Sequence, residues 1–147
     1  MKNSVNVSAF VVILALFMVS ATRDAFAQPA PALSEMRVIG VASPMYKNGT
    51  EFEKITANNL ATPNDHGGNW LIVLVEERGY ANGQFATLGG MSMKLAKSEP
   101  LVGFDRKVYG YLRYYTYEKP FTSGRFKCSA SSLTFPWGTK TAWLNIR

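Results

Sequence analysis

The chain holds a single histidine, His66, in the turn Asp65-His66-Gly67-Gly68, which directly precedes an apolar run. A histidine beside a carboxylate is a pair that can supply a general base and its orienting acid. On an extended chain, however, adjacent side chains point to opposite sides, so this spacing alone forms no dyad. The alternative is a structural turn in which Asp65 bonds nearby backbone N–H groups and the glycines adopt positive φ.

His66 has few partners for catalysis elsewhere in the sequence. No serine lies in a nucleophile-elbow pattern, and the only cysteine, Cys128, lies far along the chain. One histidine and one cysteine are too few ligands for a metal site, so neither a metal nor another cofactor is predicted. A non-catalytic role is therefore favoured. A small hydrolase that uses His66 and Asp65 is the alternative.

The most aromatic stretch of the chain is residues 107–118, KVYGYLRYYTYE, which alternates as a β-strand does. The alternation puts four tyrosines and Arg113 on one face. Sugar rings and nucleobases stack on such aromatic surfaces, and a guanidinium attracts anions. The alternative is packing of these tyrosines inside a sandwich, which Arg113 opposes because burying a lone charge is costly.

One further aromatic residue joins this face in the predicted binding set. Trp137, in a Pro-Trp-Gly turn, is either a ligand contact or a hydrophobic plug over the end of the fold. The predicted ligand-binding residues are Tyr109, Tyr111, Arg113, Tyr115 and Trp137.

Formal charge is unevenly distributed along the chain. Residues 28–93 carry four basic and six acidic residues, whereas residues 94–147 carry ten basic and three acidic residues. A basic half suits anionic partners such as an acidic polymer, a glycan of a cell envelope or nucleic acid, although no nucleic-acid-binding motif is present. Arg125, Lys127 and Lys140 would concentrate this charge if their strands were neighbours. The alternative is a solvated basic surface that serves solubility.

The N-terminal residues have the pattern of a secretory signal. Lys2 precedes the apolar run 9–19, and Ala25-Phe26-Ala27 offers small residues at a cleavage site. The run has about half of the roughly 20 residues that a membrane-spanning helix needs. We predict a cleaved signal peptide over residues 1–27, a secreted or periplasmic location, and no transmembrane helix in the mature chain. An uncleaved N-terminal anchor is the alternative.

The rest of the chain predicts one β-rich domain. Residues 28–34 (QPAPALS) indicate a flexible leader, and residues 35–147 contain short strand patterns separated by turn signals. They favour a mainly β fold, an antiparallel β-sandwich or barrel-like fold of about seven strands. The run Trp70–Val75 does not alternate, which predicts a central strand covered on both faces. The lone Cys128 is either buried or in an intermolecular disulfide.

One short helix is predicted within this domain. Thr50 and Glu53 have the spacing of a capping box, and apolar residues follow near one helical face. The predicted helix covers residues 51–60. A mixed α+β fold, with this helix on one face of a sheet, is the second choice of architecture.

Three of these motifs together resemble the YolA-like family, small exported bacterial proteins of unknown function. They are the DHGG turn before an apolar strand, the tyrosine-rich strand YGYLRYYTY, and the PWGT turn before a final strand. The likeness spans residues 36–146. It implies export from a bacterium and a small, mostly β domain, and it supplies no catalytic residues.

The sequence supports three functions, in a definite order. The first is a secreted, non-catalytic module that binds an anionic or carbohydrate component of a cell envelope, or a protein partner. The second is the exported hydrolase that uses His66 and Asp65. The third is a membrane-active effector or toxin, with Trp137 and the basic half of the chain as its anchors.

Overall fold

The computed structural model describes residues 30–147, and the predicted signal peptide, residues 1–27, lies outside the described residues. Within the described part, strands account for most of the chain, and a 3-10 helix at Lys47–Gly49 is the one helical segment. The strands are β1 (Glu35–Ala42), β2 (Glu53–Lys54), β3 (Leu71–Arg78), β4 (Ala81–Leu88), β5 (Met91–Ser92), β6 (Lys94–Val102), β7 (Val108–Tyr117), β8 (Gly124–Ser132) and β9 (Thr139–Ile146).

The strands form two antiparallel sheets that pack face to face, which confirms the predicted β-sandwich and not the barrel. The five-stranded sheet has the order β2-β1-β3-β7-β6, and the four-stranded sheet has the order β5-β4-β8-β9. Two of the strands, β2 and β5, have only two residues each, so the number of long strands matches the expected seven. Strand β3, which begins within the apolar run, lies between β1 and β7, as predicted for a central strand.

Alternate side chains of both sheets build the core between them. On β3 these are Leu71, Val73 and Val75, and on β8 they include Phe126, all fully buried. Burying one such side chain stabilises the fold by about 1.5–3 kcal/mol. Every residue of this core lies between Leu33 and Ile146, so a chain that begins at Gln28 contains all of its contacts.

The prediction of a helix over residues 51–60 is wrong. Residues 53 and 54 pair with β1 as strand β2, and the neighbouring residues form turns and extended chain. In a capping box, Glu53 would accept a hydrogen bond from the backbone of the N-cap residue. Its side chain is instead buried and accepts from the backbone N–H of Asn64, while the Thr50 hydroxyl donates to the carbonyl of Lys47. Tertiary contacts therefore overrode the local signal.

Residues 31–34 of the predicted leader are held against the sandwich. The backbone N–H of Tyr80 donates to the carbonyl of Pro31 at 2.9 Å. Leu33 is buried, and its N–H donates to the hydroxyl of Ser132 at 3.0 Å. The segment thereby joins the end of β3 in one sheet to the end of β8 in the other.

Close pairing of β3 with β7 generates the first prediction, at Gly110. A Cβ atom there would lie 2.1 Å from the carbonyl oxygen of Glu77, a backbone atom that cannot move without breaking the sheet. We expect Gly110→Ala to lower the free energy of unfolding by about 2 kcal/mol or more, as measured by urea unfolding. Gly138→Ala is the matched control, because nothing lies within 4 Å of its added methyl group. Equal losses in the two variants would contradict the β3–β7 register.

Candidate functional site

His66 lies at the centre of a buried polar cluster. Its Nε2 atom is 2.9 Å from Oε2 of Glu53, and its Nδ1 atom is 2.9 Å from the hydroxyl oxygen of Ser43. A neutral histidine that donates from Nε2 to the carboxylate leaves Nδ1 free to accept the serine proton. Serine, histidine and glutamate are the residue types of a hydrolytic triad. Sequence reasoning missed Ser43 and Glu53, because they lie 23 and 13 residues from His66 with no motif to link them.

The cluster is closed to a substrate. Ser43 and His66 are fully buried, and Glu53 is nearly so. The ring of Tyr46 packs over the imidazole, with centroids 5.4 Å apart. Asp65 is exposed and forms no hydrogen bond or ion pair with any residue from 30 to 147. It therefore neither pairs with His66, as the alternative hydrolase requires, nor holds the turn by bonding backbone N–H groups. The geometry indicates a structural role that joins β1, β2 and the turn before β3.

Arg113 lies in a second polar cluster, between the two sheets. Its Nε donates to Oε2 of Glu77 at 2.9 Å, and its Nη1 donates to the hydroxyl of Ser98 at 2.7 Å. Its guanidinium also lies 4.4 Å from the ring centroid of Tyr111. Arg113 and Tyr111 are partly exposed, and Glu77 neutralises the charge of Arg113 on the inner face of the sheet. Glu77 is itself fully buried.

The tyrosine-rich face of β7 is consequently not a single exposed surface. Tyr115 pairs with Val73 across β3, so both side chains share the inner face, and Tyr115 is only 1% exposed. Tyr111 is partly buried, and Tyr109, at the start of the strand, is exposed. Of the predicted binding residues on β7, Tyr115 and Arg113 are thus turned inward, whereas Tyr109 remains accessible.

The structure places Trp137 away from Arg113, in the β8–β9 loop. Its side chain is exposed and contacts Phe135 edge to face, with centroids 6.0 Å apart. It is therefore not a plug buried over the end of the fold. Trp137 lines one cavity beside residues 32–34, and Tyr109 lines another, of about 620 Å³, beside Pro31. The docked leader segment separates these two aromatic residues.

A different surface gathers aromatic and basic groups, namely the outer face of the four-stranded sheet. We call it the basic face. Its outward side chains are Phe85, Thr87, Arg125, Lys127, Ser129, Thr141, Trp143 and Asn145. Lys127 lies directly across from Trp143, and the guanidinium of Arg125 is 5.3 Å from the indole centroid. Arg125 and Lys127 lie two residues apart on β8 and share this face. Strands β8 and β9 are neighbours, but Lys140 lies opposite the inward Ala130, so its position in the alternation keeps it off the basic face.

Sequence reasoning missed Trp143, although a signal for it was present. In residues 141–146, TAWLNI, apolar Ala142, Leu144 and Ile146 alternate with Thr141, Trp143 and Asn145. A period of two with one apolar face predicts that the other set points to solvent. The structure shows this arrangement, with Leu144 fully buried and Trp143 44% exposed.

The basic face has no acidic side chain to neutralise it. Strands β4, β5, β8 and β9 contain neither aspartate nor glutamate. Across residues 30–147, no carboxylate lies within ion-pair distance of Arg125, Lys127 or Lys140. These cations are therefore available to an anion from outside the fold.

The five-stranded sheet, by contrast, pairs its charges internally. Arg37 and Arg78 both bond the carboxylate of Glu76, and both also lie near Glu35. Burial raises the pKa of Glu76, but the hydrogen bonds from Arg78 and Arg37 outweigh that effect and hold the pKa below its ordinary value. Acidic and basic groups on this sheet thus neutralise each other.

An open cleft of about 320 Å³ adjoins the basic face, between β1 and β9. Trp143 and Thr141 border both the cleft and the face. Glu35, Arg37 and Asn59 line the other side of the cleft and bring donors and acceptors near the indole. Polar groups beside an aromatic ring are the usual composition of a site for a polar, ring-shaped ligand.

The described residues contain neither a metal-ligand cluster nor a membrane-spanning helix. In the part of the chain that the structure describes, no group of three or more His, Cys, Asp or Glu side chains could hold a metal ion. Over the same residues, no helix has the length and apolar character needed to cross a membrane.

Fold and surface together define a small β-sandwich domain with one basic, aromatic sheet face. Residues 28–146 match the family model of a domain of unknown function, DUF4879, and the chain belongs to that family. The match covers the whole sandwich, so every surface described above lies within the family domain. No curated protein matches the chain. The resemblance to the YolA-like family stays a prediction.

Cys128 lies on the inner face of β8 as a free, fully buried thiol. Burial, the largest effect, raises the pKa of Cys128 to about 11, although the neighbouring Tyr115 hydroxyl acts in the opposite direction. A protonated thiol with no access to solvent neither attacks a reagent nor meets a second chain. The geometry therefore favours the buried cysteine over the intermolecular disulfide.

The buried cluster predicts a structural role for His66 rather than a catalytic one. His66→Ala leaves Oε2 of the Glu53 carboxylate and the hydroxyl of Ser43 without their partner in the fold, which costs about 1–3 kcal/mol for each such group. We expect a matching loss in the free energy of unfolding, measured by urea denaturation. Asp65→Ala, at the exposed neighbour, should change stability by less than about 0.5 kcal/mol. A larger effect at Asp65 than at His66 would contradict this assignment.

The buried thiol predicts both a reactivity and a pH dependence. At pH 8 a thiol reagent should label Cys128 only after the chain is denatured. The unfolded cysteine loses its proton near its ordinary pKa of 9.0, whereas the folded one keeps it to about 11. Because the unfolded state binds fewer protons in that window, the free energy of unfolding should fall as pH rises through it. In Cys128→Ala, the part of the decrease in unfolding free energy that comes from this thiol should disappear. Rapid labelling of Cys128 in the native, unchanged protein would contradict its burial.

Proposed function

We propose that this chain is an exported, non-catalytic module that binds an anionic polysaccharide of a cell envelope. The observation that carries the proposal is the basic face, where Trp143 lies exposed beside Arg125 and Lys127 on a sheet whose strands contain no acidic residue. The arrangement supplies positive charge for the anionic groups of the polymer and an indole ring for its sugars. Export is supported by the signal pattern of residues 1–27.

Trp143 and its neighbours suit a sugar with an acidic group. The C–H face of a sugar ring stacks on an indole, whose broad apolar surface favours that contact. Lys127 lies across the strand pair from Trp143, and Arg125 is held near the ring by a hydrogen bond of 3.1 Å from its Nε to Asn145. A guanidinium offers a fork of donors to a carboxylate or phosphate. One sugar unit can therefore meet the ring and a cation together.

The shape of this surface favours an extended ligand over a small, enclosed one. Arg125 and Lys127 lie two residues apart on β8, so their backbones are about 7 Å apart along the strand. The face continues beyond Trp143 into the open cleft, where Arg37 and Asn59 add polar groups. A chain of sugars can thus cross β8 and β9 and continue into the cleft.

The alternative functions have less support in the geometry. A hydrolase that uses His66 and Asp65 requires a substrate to reach an imidazole that is fully buried and lies apart from the carboxylate of Asp65. A protein partner on the basic face would have to be acidic to match its charge. The polysaccharide is preferred because an exposed indole beside two cations suits sugar rings that carry acids.

The proposal predicts loss of affinity when the two cations are neutralised. Polygalacturonate serves as the anionic polysaccharide, with neutral dextran for comparison, and binding is measured by calorimetry. We expect Arg125→Gln with Lys127→Gln to weaken polygalacturonate binding at least tenfold. Affinity of the unchanged protein should also fall as salt rises, because charge attraction is screened.

A matched control separates this site from net charge alone. Lys54→Gln with Lys97→Gln removes the same charge from the five-stranded sheet and should leave the affinity within about twofold. Equal losses in the two double variants would sink the assignment to the basic face. Failure of the unchanged protein to bind polygalacturonate, lipopolysaccharide or teichoic acid would sink the proposed function itself.

Stacking on Trp143 generates a separate prediction. Trp143→Ala should weaken polygalacturonate binding severalfold even in high salt, because contact with a sugar ring is screened far less than charge attraction. The same change should leave binding of polyglutamate, a polyanion without sugar rings, nearly unaltered. An equal loss of affinity for both polymers would show that the indole ring does not stack on a sugar.

A further inference from the structure

The most exposed large apolar side chains of the described residues are concentrated in two loops. Phe104 projects fully from the tip of the β6–β7 hairpin. Phe135 and Trp137, in the β8–β9 loop, are 78% and 75% exposed. Leu133, in the same loop, is also exposed. Isolated exposed apolar residues are ordinary, but several at one place mark an interaction surface.

Both loops lie at the same end of the sandwich, where Tyr80 connects them. The carbonyl of Tyr80 accepts a hydrogen bond from the N–H of Leu133 at 3.0 Å. Its hydroxyl donates to the carbonyl of Val108 at 3.4 Å, at the base of the β6–β7 hairpin. Its N–H donates to Pro31, so the docked leader reaches this end too. We call this surface the Tyr80 end.

We propose that the Tyr80 end docks on the surface of an anionic lipid bilayer, with Phe104, Phe135 and Trp137 inserted at headgroup level. The inference concerns a second surface and does not rest on the proposed polysaccharide site. Phe104 and Phe135 project from loop tips, and Trp137, although it borders the cavity beside residues 32–34, is 75% exposed. A protein partner would need a shaped cavity for each tip, whereas a bilayer accepts them without one. Tryptophan in particular favours the membrane interface, where its ring meets both apolar and wet surroundings.

The charge at the Tyr80 end matches an anionic surface. Arg106 follows Phe104 in the hairpin, and Lys140 follows Trp137 at the start of β9. Both cations are exposed, and neither has a carboxylate partner within ion-pair distance among residues 30–147. The nearby acid, Asp105, lies 3.9 Å from the ammonium of Lys107. Each such cation near an anionic bilayer strengthens binding, which salt then weakens.

Hydrogen bonds order the β8–β9 loop in the absence of a bilayer. The N–H of Ser132 donates to the carbonyl of Gly138 at 2.8 Å, which closes the base of the loop. The Ser132 hydroxyl donates to the carbonyl of Thr134 at 2.7 Å. Hydrogen bonds within the loop therefore keep the two aromatic side chains outward. A preordered loop loses little conformational entropy when it binds.

The experiment uses the chain from Gln28 onward and vesicles of phosphatidylcholine with or without phosphatidylglycerol. We expect sedimentation with the anionic vesicles and little with the neutral ones. Phe135→Ser with Trp137→Ser should lower the bound fraction at least fivefold, and Phe104→Ser should lower it severalfold. Arg106→Gln with Lys140→Gln should abolish the preference for anionic vesicles. Unchanged urea midpoints would show that the variants remain folded, as expected for exposed positions.

The matched control is Phe85→Ser, which removes an exposed ring from the basic face and should leave vesicle binding unchanged. An equal loss in Phe85→Ser would overturn the assignment to the Tyr80 end. Absence of binding to anionic vesicles would overturn the inference, as would capture of a protein through these loops without any vesicle binding. Polysaccharide affinity should survive in the loop variants, so failure of either proposal is distinguishable from failure of the other.

Discussion

The ion pair between Arg113 and Glu77 allows two charged side chains to lie on the inner face of the five-stranded sheet. Because side chains alternate along a strand, Arg113 can lie on the inner face of β7 only together with Tyr111 and Tyr115. Burying one charge there would be prohibitive, but Glu77 on β3 supplies the opposite charge at 2.9 Å. Arg113 is the one basic residue of β7, and Glu77 neutralises it. Any ligand contact made through charge must therefore come from elsewhere on the molecule.

The two sheets differ in how their charges are neutralised. Most acids of the five-stranded sheet are bound to arginines or lysines of that sheet, as Glu76 is to Arg37 and Arg78, whereas Glu53 bonds His66. The four-stranded sheet has no acid, so Arg125 and Lys127 stay available beside Trp143. The chain has no acidic residue after Glu118, and this single compositional fact gives the basic face and the β8–β9 loop their positive character. An anionic polymer and an anionic bilayer can therefore be met by adjoining surfaces.

Sequence patterns predicted the structure correctly where it depends on residues that are close along the chain. Alternation and turn residues predicted the sandwich and its strands, because a strand with one buried face must repeat every two residues. The run Trp70–Val75, which does not alternate, predicted the central position of β3. Local patterns failed where a side chain had a distant partner. The spacing of Thr50 and Glu53 indicated a helix cap, yet Glu53 bonds His66 and Asn64 in the fold. The sequence of the leader likewise does not reveal its hydrogen bonds to Tyr80 and Ser132.

The sequence by itself determined the β architecture, the uneven charge along the chain and the alternation that turns Trp143 outward. Only the tertiary structure decided that Arg113 and Tyr115 face inward, that His66 is buried between Ser43 and Glu53, and that Arg125 lies over the ring of Trp143. The physical reason is the range of the forces involved. Strand periodicity is set by neighbours along the chain, whereas neutralising a buried charge depends on a residue that pairing of two strands brings near, 36 positions away for Glu77 and Arg113.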